Sequence, residues 1–218
     1  MNRNFGPQTG TFSLGRRLSG VLGAAMLVAL AVPMPAAAQF SESYKFLDAI
    51  RKKDGDAVND MLNKPSTQIV NTRDISTGET ALHIVTARRD LVWMEFIVSK
   101  GANVNAHNAK GETPLEIAAE LGFVEGVDFL ISTGARVDET NNTGSTPLID
   151  AVSRRDLSVV RSLLKAGANP DRPDNSGRSA RDYATLDGKE SPILAEIVSF
   201  TREHGGANAA HKTYGPTF

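Results

Sequence analysis

Histidine and acidic side chains are the groups of this sequence that could carry acid–base or metal chemistry. None of the four histidines has a second metal ligand or a nucleophile spaced near it. They are His83, His107, His204 and His211. The chain has no cysteine, which excludes a thiolate metal site, a cysteine nucleophile and a disulfide framework. Phosphate-loop, dinucleotide-loop and nucleophile-elbow motifs are also missing. We therefore predict a non-catalytic protein that holds no metal and no cofactor.

Three aspartates, Asp54, Asp90 and Asp156, resemble a carboxylate cluster at first sight. Each stands where a predicted helix begins, and aspartate there accepts hydrogen bonds from backbone N–H groups that have no partner within the helix. N-capping explains all three. The other acidic residues mostly alternate with basic ones, which is typical of a solvated surface.

A spacing of 33 residues organises most of the chain. Around four glycines at this spacing the sequence reads GETALHIV, GETPLEIA, GSTPLIDA and GRSARDYA, and apolar residues follow each at helical intervals. The glycines are Gly78, Gly111, Gly144 and Gly177. A Gly-Ala pair recurs at the same spacing, as Gly101-Ala102, Gly134-Ala135 and Gly167-Ala168. The chain is therefore a repeat protein.

These residues resemble the ankyrin repeat, G-x-T-P-L-H-x-A-A followed by a second helix and G-A-x-V-N-A. The resemblance spans about 46–204 and implies an all-α solenoid of about five helix pairs with short β-hairpin finger loops. The residues agree with it, because Thr113-Pro114 and Thr146-Pro147 suit helix starts and the glycine of each Gly-Ala pair suits a left-handed helix end. In this family the histidine at the place of His83 ties neighbouring loops together.

The five units resemble the ankyrin-repeat pattern to different degrees. A degenerate first unit, 46–74, is followed by units that start near 78, 111 and 144 and by a capping unit, 177–204. Insertions are expected around 65–67 and in the finger 74–78. In the capping unit Ala180-Arg181-Asp182 replaces P-L-H, and its second helix is expected to begin at Ser191-Pro192. A linker, 39–45, and a flexible tail, 205–218, complete the prediction.

Residues 1–38 have the features of a cleavable secretory signal of bacterial type. They contain three arginines, no acidic residue, an apolar run from Val21 to Met34, and then Ala36-Ala37-Ala38. We predict cleavage between Ala38 and Gln39 and a periplasmic destination. A membrane anchor is the alternative, but a span needs about 20 apolar residues. Arg16-Arg17 leaves the twin-arginine route open beside the general secretory route.

Removing the signal makes the chain more acidic. The whole sequence of 218 residues has 24 basic and 25 acidic residues, and its formal net charge is −1. The mature part keeps 21 basic and 25 acidic residues, so its net charge is −4. Such a balance argues against a basic surface for nucleic acid.

Three basic pairs occupy equivalent places in the repeats, Lys52-Lys53, Arg88-Arg89 and Arg154-Arg155, and Leu121-Gly122 interrupts the row. One interpretation is that these cations stabilise helix C-termini, by about 0.3–1 kcal/mol each. The other is that Arg88 and Arg154 face an acidic segment of a partner protein.

The resemblance implies protein–protein binding through a concave surface of fingers and first helices. The candidate partner-binding residues are Arg73, Ile75, Arg88, His107, Lys110, Glu120, Thr140, Asn142, Arg154 and Asn175. Ile75 is the most suggestive, being apolar at a finger tip. We expect a monomer that binds neither nucleic acid nor, after cleavage, a membrane. An accessory or immunity-type protein that serves one exported enzyme is an alternative, and an enzyme of unknown type is a distant one.

Overall fold

Helices in pairs make up most of the part that the computed structural model of the protein describes, residues 41–64, 69–186, 188 and 190–208. The pairs are α1 Glu42–Lys52 with α2 Gly55–Leu62, α3 Ala81–Ala87 with α4 Leu91–Ser99, α5 Pro114–Glu120 with α6 Val124–Ser132, α7 Pro147–Ser153 with α8 Leu157–Lys165, and α9 Ala180–Leu186 with α10 Pro192–Asn208. A 3₁₀ turn, Ile69–Asn71, follows the first pair. The architecture is an all-α repeat solenoid, as predicted.

Some predictions fall outside the described residues. They are the signal sequence with its cleavage site, the insertion expected around 65–67, the side chain of His204, and His211 with the end of the tail.

Side-chain caps explain where the helices begin. Thr113 Oγ1 accepts a hydrogen bond from Glu116 N at 3.2 Å, and Pro114 takes the first helical position, where its missing N–H costs no bond. In the first repeat Asp54 accepts from Ala57 N at 3.0 Å to start α2, and Asp90 and Asp156 start α4 and α8 in the same way. N-capping by the three aspartates is confirmed.

Two boundaries and one loop type differ from the predictions. Helix α1 begins at Glu42 because Ser41 Oγ caps it, so the predicted linker 39–45 is partly helical. Helix α10 begins at Pro192 as predicted but continues to Asn208, beyond the expected end at 204. The fingers are tight turns rather than β-hairpins, and Pro173 and Ser179 form the one isolated β-bridge among the described residues.

First helices stack on first helices, and second helices α4, α6, α8 and α10 stack beside them. One apolar core runs along this double row, and Leu82, Leu115 and Leu148 at equivalent places are all fully buried. Asparagine amides add links between repeats, as Asn71 Nδ2 donates to Gly101 O at 3.1 Å. Each repeat is therefore held mainly by its neighbours along the chain.

Candidate functional site

Each finger is built around one Asp or Asn side chain. Asp74 Oδ1 accepts from the Ser76 amide at 2.9 Å and hydroxyl at 2.6 Å, and Asn141 Oδ1 does the same for Thr143. Hydrogen bonds from Ser76, together with the Arg51 guanidinium, hold the pKa of Asp74 well below its usual range. The finger from Asp74 to Glu79 has one residue more than the next one, and the predicted insertion there is confirmed.

Neighbouring fingers are joined through their backbones. Asn142 N donates to Lys110 O at 3.0 Å, and Asn175 N donates to Thr143 O at 3.0 Å. The side-chain amides of Asn142 and Asn175 also donate, each at 3.1 Å, to a carbonyl of the preceding finger. These two residues were predicted to contact a partner. In the structure their backbone and side-chain amides link neighbouring fingers.

His83 is a structural residue, as the resemblance implies. Its Nδ1 lies 2.8 Å from Thr80 Oγ1, and its Nε2 lies 3.0 Å from the carbonyl oxygen of Glu112 in the next repeat. The side chain is fully buried, and burial lowers its pKa. His83 thus ties two repeats together as a neutral imidazole.

All residues of the three basic pairs are exposed except Arg88, which is half-buried. Arg88 is folded back, because its guanidinium donates to Ile50 O at the end of α1 and lies 5.8 Å from the centre of the Trp93 ring. Lys52 pairs with Asp48 one turn earlier in the same helix, at 2.7 Å. Arg154 is exposed and lines a pocket between two repeats.

The second members of the pairs have left-handed backbones. Lys53, Arg89 and Arg155 have φ values of 58°, 56° and 60°, where the equivalent Gly122 has 63°. Such a conformation costs a non-glycine residue about 1–2 kcal/mol. Each basic pair therefore ends at the tight turn between the two helices of its repeat.

The remaining predicted residues are exposed to different degrees. Ile75 is 99% exposed and Lys110 is mostly exposed, whereas Thr140 is half-buried. Arg73 donates to His107 O of the next finger, and His107 Nε2 lies 3.5 Å from Glu139 Oε2. Ile75 and Lys110 thus both present most of their side chains to solvent.

Glu120 and Arg154 meet in an open pocket of about 280 Å³ between α5 and α7. The base of the fingers and the two helices supply its walls. The lining residues are Glu112, Glu120, Asn141, Asp150, Ser153 and Arg154. Three carboxylates and one guanidinium give the pocket an excess of negative charge.

The half-buried Asp150 of this pocket is paired with a buried carboxyl group, that of Glu116. Glu116 is 1% exposed, its Oε2 accepts from Thr113 N at 3.4 Å, and its carboxyl group also lies within hydrogen-bond reach of the side chains of Asn141 and Asp150. Burial raises the pKa of Glu116 to about 8, and the charge of Asp150 adds to the shift. Burial also raises the pKa of Asp150 to about 6, although its carboxylate accepts from Ser145 Oγ at 2.6 Å.

Four residues of the pocket were missed by sequence reasoning: Glu112, Asn141, Asp150 and Ser153. The 33-residue register holds a signal for one of them. Asp150 occupies the place where two other repeats bury Ile84 and Ile117, and Glu116 occupies the place of the buried His83. An acid at a position that is otherwise buried indicates an unusual environment.

Among the described residues, no group of three or more His, Asp or Glu side chains could hold a metal ion. In the same part of the chain, every helix is too short or too polar to cross a bilayer.

Comparison with known protein families agrees with the geometry. A family model for ankyrin repeats in three copies matches residues 46–141, and one for ankyrin repeats in many copies matches residues 130–184. A search of curated proteins found no match. The two family models together cover residues 46–184, which is more than half of the chain. With its capped helix pairs, stacked fingers and 33-residue period, the chain belongs to the ankyrin-repeat family.

Proposed function

We propose that the protein acts outside the cytoplasm, where it binds a partner protein through the face formed by its fingers and first helices. Ankyrin repeats are in general protein–protein interaction modules, typically without catalytic activity. The observation that carries the proposal for this face is Ile75, which is 99% exposed at a finger tip although burial would be favourable for it.

The residues around Ile75 support the same face. Finger backbones and the Asn142 and Asn175 amides are used for stacking, which fixes the tips in a rigid row. Lys110 extends from the next finger and is 79% exposed, while its ammonium lies 3.7 Å from Glu112 at the edge of the pocket. A rigid row with exposed side chains loses little conformational entropy on binding.

Site-specific photocrosslinking tests which face is used. A photoreactive amino acid at Ile75 is expected to crosslink a periplasmic protein of the exporting cell. The matched control is the same amino acid at Val92, which is 74% exposed on the second helix α4. Equal crosslinking at both positions, or at Val92 only, would contradict the proposed face.

The crosslinked partner also distinguishes the possible roles. One exported enzyme recovered in a 1:1 ratio would identify an accessory or immunity-type protein, whereas several partners would identify a general adaptor. Export itself is tested by N-terminal sequencing of the protein from the periplasmic fraction. We expect Gln39 as the first residue, and a product that begins at Met1 would contradict export with cleavage.

A further inference from the structure

We propose that residues 209–215 form a fifth finger, which stacks on the finger 174–177 at the end of the finger row. In the described part of the chain, fingers precede α3, α5, α7 and α9, and each of the last three stacks on the one before it. A space beside the last of them, the course of α10 and a recurrence in the sequence support the assignment. The C-terminal segment of the same chain then occupies an end of the row that the proposed function leaves open.

Each finger leaves room for the next one beside a glycine. At Gly78, Gly111 and Gly144, a Cβ atom would lie 2.7 or 2.8 Å from a backbone nitrogen of the following finger. Gly177 has the same left-handed backbone, with a φ of 80°, but a Cβ there would meet no atom of the described residues within 4 Å. The place of a following finger is thus unfilled beside Gly177 within the described part of the chain.

A backbone acceptor for a further finger is present at the same place. Lys110 O and Thr143 O each accept a hydrogen bond from a backbone N–H of the following finger, at 3.0 Å. Ser176 is the equivalent residue, 33 positions after Thr143, and no described group donates to its carbonyl oxygen. A following finger would donate a backbone N–H to Ser176 O.

Helix α10 carries the chain to the finger side of the last repeat. Arg181, in the first turn of α9, donates to Thr201 Oγ1 at 2.9 Å, so α10 passes the start of α9 at Thr201. It continues to Asn208, about 10 Å further at 1.5 Å per residue. Residues 209–215 can span up to about 23 Å, which is more than the length by which α10 passes α9. They are therefore long enough to return to the finger that precedes α9.

The sequence of the C-terminal segment matches that of a finger. Residues 210–217 read AHKTYGPT, and residues 106–113 read AHNAKGET, so Ala, His, Gly and Thr recur at the same places. In this match Gly215 corresponds to Gly111, which has a φ of 79°. The segment thus carries the glycine that a left-handed finger turn requires.

The match also identifies the donor. Thr213 takes the place of Ala109, whose N–H donates to the preceding finger at 2.9 Å, so we assign the Thr213 N–H to Ser176 O. A second copy of the chain is a poorer occupant. The corresponding N–H of its first finger, that of Ser76, already donates to Asp74 Oδ1 at 2.9 Å.

A double-mutant cycle on the full chain tests whether the fifth finger reaches Gly177. Gly177→Ala places a methyl group in the unfilled space, and Thr213→Pro removes the donor N–H. Because either change alone should detach the finger, the Tm loss of the double variant is expected to be smaller than the sum of the two single losses. Thr213→Pro alone should lower the Tm by roughly 2–4 °C. Thr217→Pro, which lies beyond the finger, is the matched control and should leave the Tm unchanged.

Hydrogen exchange of the Thr213 amide gives a second measurement, which needs no variant. We expect exchange to be slower by about tenfold or more than in a synthetic peptide of residues 209–218, and Gly177→Ala to abolish this protection. Exchange at the rate of the peptide, as in a flexible tail, or additive Tm losses in the cycle would overturn the assignment. Protection that increases with protein concentration would assign the end of the row to a second copy and would equally overturn it.

Discussion

Lys53 Nζ lies 2.8 Å from Asp90 Oδ2, so the left-handed residue of the first repeat is ion-paired with the residue that caps α4 in the second. An equivalent contact, made by a cation and an aromatic ring instead of an ion pair, links the next two repeats. One repeat on, the Arg89 guanidinium lies 5.5 Å from the centre of the ring of Phe123, the N-cap residue of α6. The strain of the left-handed backbone at each of these residues is therefore offset by a contact that its side chain makes with the next repeat.

Two variants of Arg89 distinguish the cost of its left-handed backbone from the loss of its side-chain contact with Phe123. Both Arg89→Ala and Arg89→Gly lose the contact with Phe123, but only glycine relieves the φ of 56°. We expect the glycine variant to be more stable than the alanine variant by about 1 kcal/mol, measured by urea denaturation. At Glu95, in the middle of α4, the order should be reversed because glycine costs about 1 kcal/mol in a helix. Equal stability of the two Arg89 variants would contradict a strained backbone at this position.

Two glycines with positive φ are expected to respond differently to alanine. At Gly101, φ is 89° and a Cβ would meet no atom within 4 Å, so Gly101→Ala should cost only the backbone strain, about 1–2 kcal/mol. At Gly111, φ is 79° and a Cβ would lie 2.8 Å from the backbone nitrogen of Asn142. Gly111→Ala should therefore cost clearly more in denaturant unfolding, because the finger bond must shift. Similar losses for both variants would argue against close finger stacking.

Leu115 on α5 tests the core between the two helix rows. It is fully buried, and Leu115→Ala should lower the free energy of unfolding by about 2–5 kcal/mol, the range for a leucine truncated in a packed interior. Leu186→Ala is the control, since Leu186 is 71% exposed and its truncation should change stability by less than about 0.5 kcal/mol. An unchanged melting transition for Leu115→Ala would place that side chain outside the core.

The carboxyl group of Glu116 should make stability depend on pH. Burial raises its pKa from 4.5 to about 8, so between these values the folded protein holds a proton that the unfolded chain releases. Its contribution to the free energy of unfolding therefore falls as the pH rises through this window. Glu116→Gln removes the titration, and its Tm relative to the wild type is expected to rise by roughly 2–8 °C from pH 5 to pH 8.

Other groups titrate nearby, so the difference between Glu116→Gln and wild type is the quantity to follow. Burial also raises the pKa of Asp150, whose contribution is lost as the pH rises between 3.8 and about 6. Burial lowers the pKa of His83 from 6.5, so its contribution is lost in the opposite direction, as the pH falls. A Tm difference that stays constant from pH 5 to pH 8 would contradict a protonated Glu116.

The helix caps and the left-handed glycines could be predicted because each depends on a residue type that determines local conformation. Thr113 before Pro114 starts a helix with any neighbours, and Gly101 tolerates a φ that other residues avoid. The period of 33 residues then places equivalent helices side by side. These features are either local or periodic, and both kinds can be recognised in a single amino-acid sequence.

The pocket could not be predicted, because it depends on where side chains point across two repeats. Arg88 and Arg154 occupy equivalent places, yet Arg88 folds onto the end of α1 whereas Arg154 lines the pocket. Neither residue type nor spacing distinguishes them. The acidic character of the pocket arises because α5 and α7 bring Glu120 and Asp150 together, and alternating charges along the chain conceal this.

The bond between Asn142 N and Lys110 O has a mechanical consequence. Adjacent fingers are linked by such bonds once per repeat, so a force that pulls the two ends apart loads these junctions in series. Rupture of one junction would release the slack of one repeat, 33 residues, and leave the others intact. Under tension the protein is therefore expected to lengthen in equal steps.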